Sequence, residues 1–242
     1  VPELHIKALT ASEINWIAKL SELDRGEVLR RLKDSGLDSL PGGGAEIFAP
    51  EVREEICPKK MDADAWLDVH RKAHELGMNT NATMLYGHVE EPEHRVDHLL
   101  RLRELQDETG GFRCFIPLSY QTENNELEEK VEHGATGRLD LKTIAAARLL
   151  LDNFPGIRAY RMVIGEKLCQ VGLDYGANDI GGSLIEERIQ TDAGSGTSQY
   201  VGREEMLHLI RDAGRVPVER DEMYNVIQNF GPDSQEREAT AD

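Results

Sequence analysis

Three glycines in a row behind a proline, Pro41-Gly42-Gly43-Gly44, leave this chain few ways to fold locally. Each glycine costs backbone entropy inside a helix or strand, so the run predicts a turn where the backbone bends sharply or approaches something closely. A short apolar run ending at Leu40 precedes it, and a helical segment with Glu51, Arg53 and Glu54 follows. Residues 36–48 therefore read as strand, glycine turn, helix. In α/β folds, ligands gather where the C-terminal end of a strand passes into its loop. Glu46 sets a carboxylate directly behind the bare backbone, which makes Gly42, Gly43, Gly44 and Glu46 candidate ligand contacts. A tight turn without chemistry is the simpler alternative. The run has neither the Gly-Lys-Ser/Thr of a phosphate loop nor GxGxxG spacing.

On either side of this turn the apolar pattern alternates between strand and helix. Residues 4–9 alternate as a strand, and Thr10 with Glu13 forms a capping box for a helix. A short helix over 27–33 leads into the glycine stretch. Residues 62–76 form an amphipathic helix with Trp66, Val69, Ala73 and Leu76 inward, and Gly77 stops it. A strand follows at 80–87, then a helix at 93–108 with Val96, Leu99, Leu100 and Leu105 inward. Further strands are predicted at 113–118, 157–164 and 179–184, with helices at 139–153, 166–175 and 203–213. Residues 216–219 read as a short extended piece, and the acidic stretch 119–138 as a candidate lid. Sixfold alternation predicts an α/β fold: a partial TIM-type barrel of six parallel strands with outer helices, two short of the eight that close a barrel. That domain spans 1–230, and the acidic tail 231–242 is expected to be disordered.

On such a barrel the strand ends collect on one rim. Asn81 and Thr83 share a face with Leu85, and polar side chains at alternate barrel positions point to the lumen, where they need partners or a ligand. His5 and Lys7 share a face in the same way. His88 lies just past a strand end, behind a glycine, where a catalytic or substrate-binding histidine belongs. His70, His74, His94, His98 and His208 fall among charged residues on helices and read as surface. No HExxH occurs, and Cys57, Cys114 and Cys169 are too scattered for a metal pattern or a disulfide framework. They read as buried thiols of a reducing cytoplasm. A net charge of −17 excludes general binding to nucleic acid or to an anionic membrane surface. There is no apolar window long enough to span a bilayer and no signal peptide, so the expected location is cytoplasmic. The start at Val1, on the lead-in to a strand, is read as a missing N-terminus.

Six blocks, GLDSLPGGGAEIF, TNATMLYGHVE, HRVDHLLRLRELQDETGGF, LKTIAAARLLLDNFPGIRAY, GANDIGGSLIEERI and AGRVPVERDEMY, resemble the aminofutalosine synthases. These are radical S-adenosylmethionine enzymes of the futalosine route to menaquinone. The resemblance runs from Leu4 to about Tyr224. It implies a synthase that joins the adenosyl group of S-adenosylmethionine to an enolpyruvyl ether of 3-hydroxybenzoate, with a 4Fe–4S cluster in the full-length family. It also implies cofactor contacts at Gly42, Gly43, Gly44, Glu46, Asn81 and Thr83, substrate contacts at His5, Lys7, Tyr86 and Gln121, and a catalytic His88. The family's CxxxCxxC is absent here, so no metal ligand is assigned and the chain alone is expected to be inactive. Gln121-Thr122 and Arg161 depart from the synthase pattern, and Gln121 leans toward the related dehypoxanthine futalosine cyclase. Two further readings are a non-catalytic barrel fragment and a simple lyase using Lys7 as Schiff-base amine with Glu46 as acid and base. The exposed edge at residues 4–9 is expected to favour a homodimer.

Overall fold

The computed structural model describes residues 4–125, 127–131, 133–181, 192 and 200–232. Thr10 caps α1 (Ala11–Ser21) as its pattern predicts: Glu13 N–H donates to the Thr10 hydroxyl at 3.4 Å, and Thr10 N–H to the Glu13 carboxylate at 2.7 Å. Then come α2 (Arg25–Asp34), β1 (Ser39–Leu40), α3 (Pro50–Ile56), α4 (Ala63–Glu75), β2 (Asn79–Tyr86), α5 (Pro92–Thr109) and β3 (Phe112–Ser119). The chain continues through α6 (Gly137–Leu150), β4 (Gly156–Ala159), α7 (Arg161–Gly172), β5 (Asp179–Ile180), α8 (Arg203–Asp212), β6 (Val218–Arg220) and β7 (Val226–Asn229).

Among the described residues five strands form the main sheet, in the order β1-β2-β3-β4-β5, and every pairing in it is parallel. The strand expected at 4–9 shrinks to a single parallel bridge, Lys7 to Ser39. Leu9, at φ 61°, turns the chain into the left-handed region and ends the extended segment. The strand expected at 157–164 stops at Ala159, because the Tyr160 carbonyl accepts Val163 N–H at 3.0 Å and Ile164 N–H at 3.2 Å and starts α7. Gly165, at φ 75° and ψ 164°, interrupts that helix near the predicted helix start. Beyond Gly181 the predicted sixth strand lies outside the described residues, as does the tail beyond residue 232. The extended piece at 216–219 is one arm of an antiparallel hairpin, β6 pairing with β7.

Burial along the strands separates two faces. Ala82, Met84, Phe115, Ile157 and Ala159 are fully buried against the helices, while Leu85, Ile116, Leu118 and Arg158 are only half-buried. The second set lines a concave inner face that the helices leave open. On the helical side, Trp66, Phe112 and Phe154 stack in series, with ring centroids 6.2 and 5.2 Å apart. Three of the helical histidines expected at the surface belong to this layer: His70 and His98 have no exposure, and His74 is half-buried. His70 follows Trp66 by one helical turn on the same inward stripe. His98 stacks on Phe48 at 3.7 Å and donates through Nε2 to the Thr83 carbonyl at 3.0 Å. Among the other two, His208 is exposed and His94 is half-buried beside Glu51. Val96 and Leu100, expected inward on α5, are about two-fifths exposed; Leu99, Leu102 and Leu105 take the buried stripe.

Candidate functional site

The glycine turn is seated by its neighbours. A Cβ on Gly42 would stand 2.8 Å from the Asn81 carbonyl oxygen and from the Ala82 carbonyl carbon, so only glycine lets this strand end lie against β2. Thr83, on the inner face, donates its hydroxyl to the Gly42 carbonyl at 2.6 Å. Gly44 has φ +86°, and a side chain there would collide with the Ser12 hydroxyl. Arg53 is buried and gathers the far side of the turn: its guanidinium donates to the carbonyls of Ala45, Ile47 and Met61. Sequence reasoning gave Arg53 no role, because one arginine on a helix carries no signal that its fork faces inward.

Behind the glycines, Glu46 adopts φ 45° and pairs with Lys60, while its carbonyl accepts Leu85 N–H at 2.8 Å. His88 lies past the end of β2 with its ring fully shielded from solvent. Nε2 donates to the Leu85 carbonyl at 3.2 Å, and Nδ1 accepts Val89 N–H at 2.8 Å, which is the neutral tautomer. Burial holds this imidazole below its ordinary pKa, against the opposing pull of Glu90. Glu90 itself accepts Gly87 N–H and His88 N–H, each at 2.8 Å, and pairs with Arg95 at 2.5 Å. Thus Gly42, Glu46, Thr83 and His88 gather around the C-terminal half of β2, with Asn81 buried one step below on the same face.

Tyr86 departs from this group. Its hydroxyl donates to Asp140 on α6 at 2.7 Å, on the helical side of the sheet, because the residue falls on the parity of Ala82 and Met84. Gln121 reaches over the rim beyond β3, donating to the Ser119 carbonyl at 3.3 Å and to the Val163 carbonyl at 3.5 Å. His5 and Lys7 do share a face, at the opposite end of the inner surface: His5 Nε2 is 2.7 Å from the Ser39 hydroxyl, and Lys7 pairs with Glu222 at 2.5 Å.

That opposite end is closed by the loop of the β6–β7 hairpin, which sequence reasoning did not place. Asp179 of β5 receives Arg158 at 2.5 Å and Arg220 at 2.8 Å, and the Tyr224 hydroxyl lies 3.3 Å from it. Arg220 covers the Tyr224 ring, its guanidinium carbon 3.8 Å from the centroid. Gly156 makes room for that ring: a Cβ there would stand 2.9 Å from it and 3.2 Å from Cys114 Sγ. The blocks containing Arg158, Asp179 and Arg220 are distant in sequence, so their meeting has no local signature.

A cluster needs thiolates at one site. Cys57 ends α3, Cys114 is in β3 and Cys169 is in α7, and burial raises the pKa of all three, Cys114 to about 11. Among the described residues no group of three or more His, Cys, Asp or Glu could hold a metal ion. The residues present do not fit a 4Fe–4S cluster. Nor is any described helix long and apolar enough to cross a membrane.

Residues 3–102 match the Radical SAM superfamily, and residues 109–231 match the CofH/MqnC C-terminal region. Aminodeoxyfutalosine synthase of Thermus thermophilus is 51% identical over 229 residues, covering 94% of this chain and 62% of that protein. A 5-amino-6-(D-ribitylamino)uracil–L-tyrosine 4-hydroxyphenyl transferase of Methanosarcina mazei is 44% identical, over 96% of this chain and 62% of that protein. The chain thus spans about three-fifths of the length of these curated relatives. Among solved structures, methylornithine synthase superposes with a TM-score of 0.57 at 16% identity, over 81% of this chain and 57% of that one, a likeness of fold alone. With both of its halves matched in order, this chain belongs to the CofH/MqnC family of radical SAM proteins.

Proposed function

We propose that this chain is the greater part of an aminodeoxyfutalosine synthase, an enzyme that joins the 5′-deoxyadenosyl group of S-adenosylmethionine to 3-[(1-carboxyvinyl)oxy]benzoate. The observation that carries this reading is the 51% identity to the Thermus thermophilus synthase across 94% of the chain. In this reading Gly42, Gly43, Gly44, Glu46, Asn81 and Thr83 form the cofactor side of the inner face. Lys7, His5 and Gln121 are its substrate residues, while Tyr86, bonded to Asp140 behind the sheet, only braces β2. His88 holds one proton at Nε2 and fixes the loop beyond β2, so its part is to place the rim beside the reacting carbons. The cluster is supplied from outside the described residues, and the chain alone is inert.

The test is a fusion that places the N-terminal segment of the Thermus thermophilus relative ahead of this chain, reconstituted anaerobically. With S-adenosylmethionine and the enolpyruvyl ether, the fusion yields aminodeoxyfutalosine by mass spectrometry and the chain alone yields none. Turnover of dehypoxanthine futalosine instead would establish the cyclase, the second reading that Gln121 favours. Hydroxyphenyl transfer from tyrosine would replace both.

A further inference from the structure

Three cations and two carboxylates meet at the hairpin-closed end of the inner face, in a chain whose net charge is −17. Arg158 and Arg220 share Asp179, whose side chain is 10% exposed, so that carboxylate is held from both sides. Lys7 is different. Its side chain is 21% exposed and meets Glu222, which sits on the hairpin turn with its side chain 53% exposed. The pair joins residues 215 positions apart, and one member of it stands half in solvent. An exposed ion pair contributes little to stability, so exchange of one carboxylate for another at Lys7 costs little.

The surface beside this site is apolar. Register places Thr83 beside Ile116, and two residues further on Leu85 lies beside Leu118. Leu85, Ile116 and Leu118 are all half-buried on the open face. Two residues of strand rise about 7 Å, roughly the length of one aromatic ring with its carboxylate.

We propose that Lys7, flanked by Arg158 and Arg220, is a recognition site for the carboxylate of an aromatic acid, and that Glu222 occupies it in the free protein as an internal stand-in. The ring would lie on Ile116 and Leu118 and point toward the glycine turn and His88. The assignment deepens the proposed function and rests on it for the identity of the natural ligand. It also accounts for the AGRVPVERDEMY block, in which Arg220 and Tyr224 anchor the hairpin and Glu222 guards the cation.

Benzoate and its uncharged analogue benzamide test the site by titration into the whole chain, followed through backbone amide resonances. Benzoate is expected to shift Lys7, Ile116, Arg158 and residues 221–224 saturably, and benzamide to leave them in place. Glu222→Gln removes the competing carboxylate and should tighten benzoate binding about fivefold or more, whereas Lys7→Gln should weaken it about tenfold or more. A misfolded variant cannot bind tighter, so the two changes of opposite sign control for folding. Equal shifts with benzamide, or no gain in Glu222→Gln, would overturn the assignment. The fusion enzyme separates this from the reading above it. Aminodeoxyfutalosine made with an unaltered substrate KM in both variants removes the site and keeps the function. Benzoate binding as described, with a different product, does the reverse.

Discussion

Arg53 commits a buried guanidinium to backbone carbonyls of two loops, Ala45 and Ile47 before α3 and Met61 after it, so its removal leaves acceptors that water cannot reach. An unpaired buried polar group costs about 1–3 kcal/mol. Arg53→Met should therefore lower the stability by roughly 3 kcal/mol, read as a lower midpoint in urea with an unchanged slope; an unmoved midpoint would show that the loop holds itself. The buried histidines act through pH. His70 donates through Nδ1 to the Thr80 hydroxyl, which donates to His74 Nε2, and His74 Nδ1 donates to Thr109, whose hydroxyl ends on the Leu105 carbonyl. This directed chain requires both rings neutral. Burial lowers the pKa of His74 to about 4 and of His98 to about 3, and holds His70 well below its usual value. In the unfolded chain each returns to about 6.5. Between those values the unfolded state binds more protons, so stability is complete above pH 6.5 and falls as the pH drops toward 4, by up to about 1.4 kcal/mol per pH unit for each histidine. Urea midpoints measured from pH 7.5 to 4.5 check this, and the slope should shrink in His74→Gln. A flat profile would mean that these rings take up protons as readily in the fold as in the unfolded chain.

The glycines make their predictions through the elements they join. Gly42→Ala puts a methyl group 2.8 Å from the backbone of β2, which cannot rotate away, and should cost about 2 kcal/mol or more by parting the glycine turn from the sheet. Gly156→Ala meets the Tyr224 ring and should loosen the hairpin, seen as faster amide exchange across Val218–Arg220 and Val226–Asn229. Gly202, at φ −65° with nothing near its open side, should accept alanine within about 0.5 kcal/mol. A common effect at all three positions would show backbone entropy, not close approach, to be their reason. The glycine run, the parallel strands and the inward face of Asn81 and Thr83 were legible because period and turn chemistry act over a few neighbours. The histidine stripe on α4 could also have been read, since His70 stands one turn from Trp66. What stayed hidden depends on residues far apart. Arg158, Asp179 and Arg220 meet only after the sheet has curved and the hairpin has folded back.

At the level of the whole molecule, the sheet has an open edge at residues 4–9. Ile6 accepts and Ala8 donates toward β1, so the peptide groups of Lys7 between them face away from the sheet. Apolar side chains lie in the same region of the chain: Leu4 is 67% exposed, Ile6 43%, and Trp16 and Leu20 of α1 61% and 68%. Unpaired strand edges beside exposed apolar groups recruit another chain. We propose that a second copy of this chain covers this edge in dilute solution, and the expected result is sedimentation that shifts from monomer to dimer as concentration rises. Ile6→Lys adds a charge to the edge without touching the inner face, where His5 and Lys7 point, and should return the monomer while leaving benzoate binding in place. A wild-type chain that sediments as a monomer at every concentration would show the edge to be closed by its own chain. Dimerisation that persists in Ile6→Lys would move the contact to Trp16 and Leu20 on α1, and Trp16→Glu would then be the variant that separates the copies.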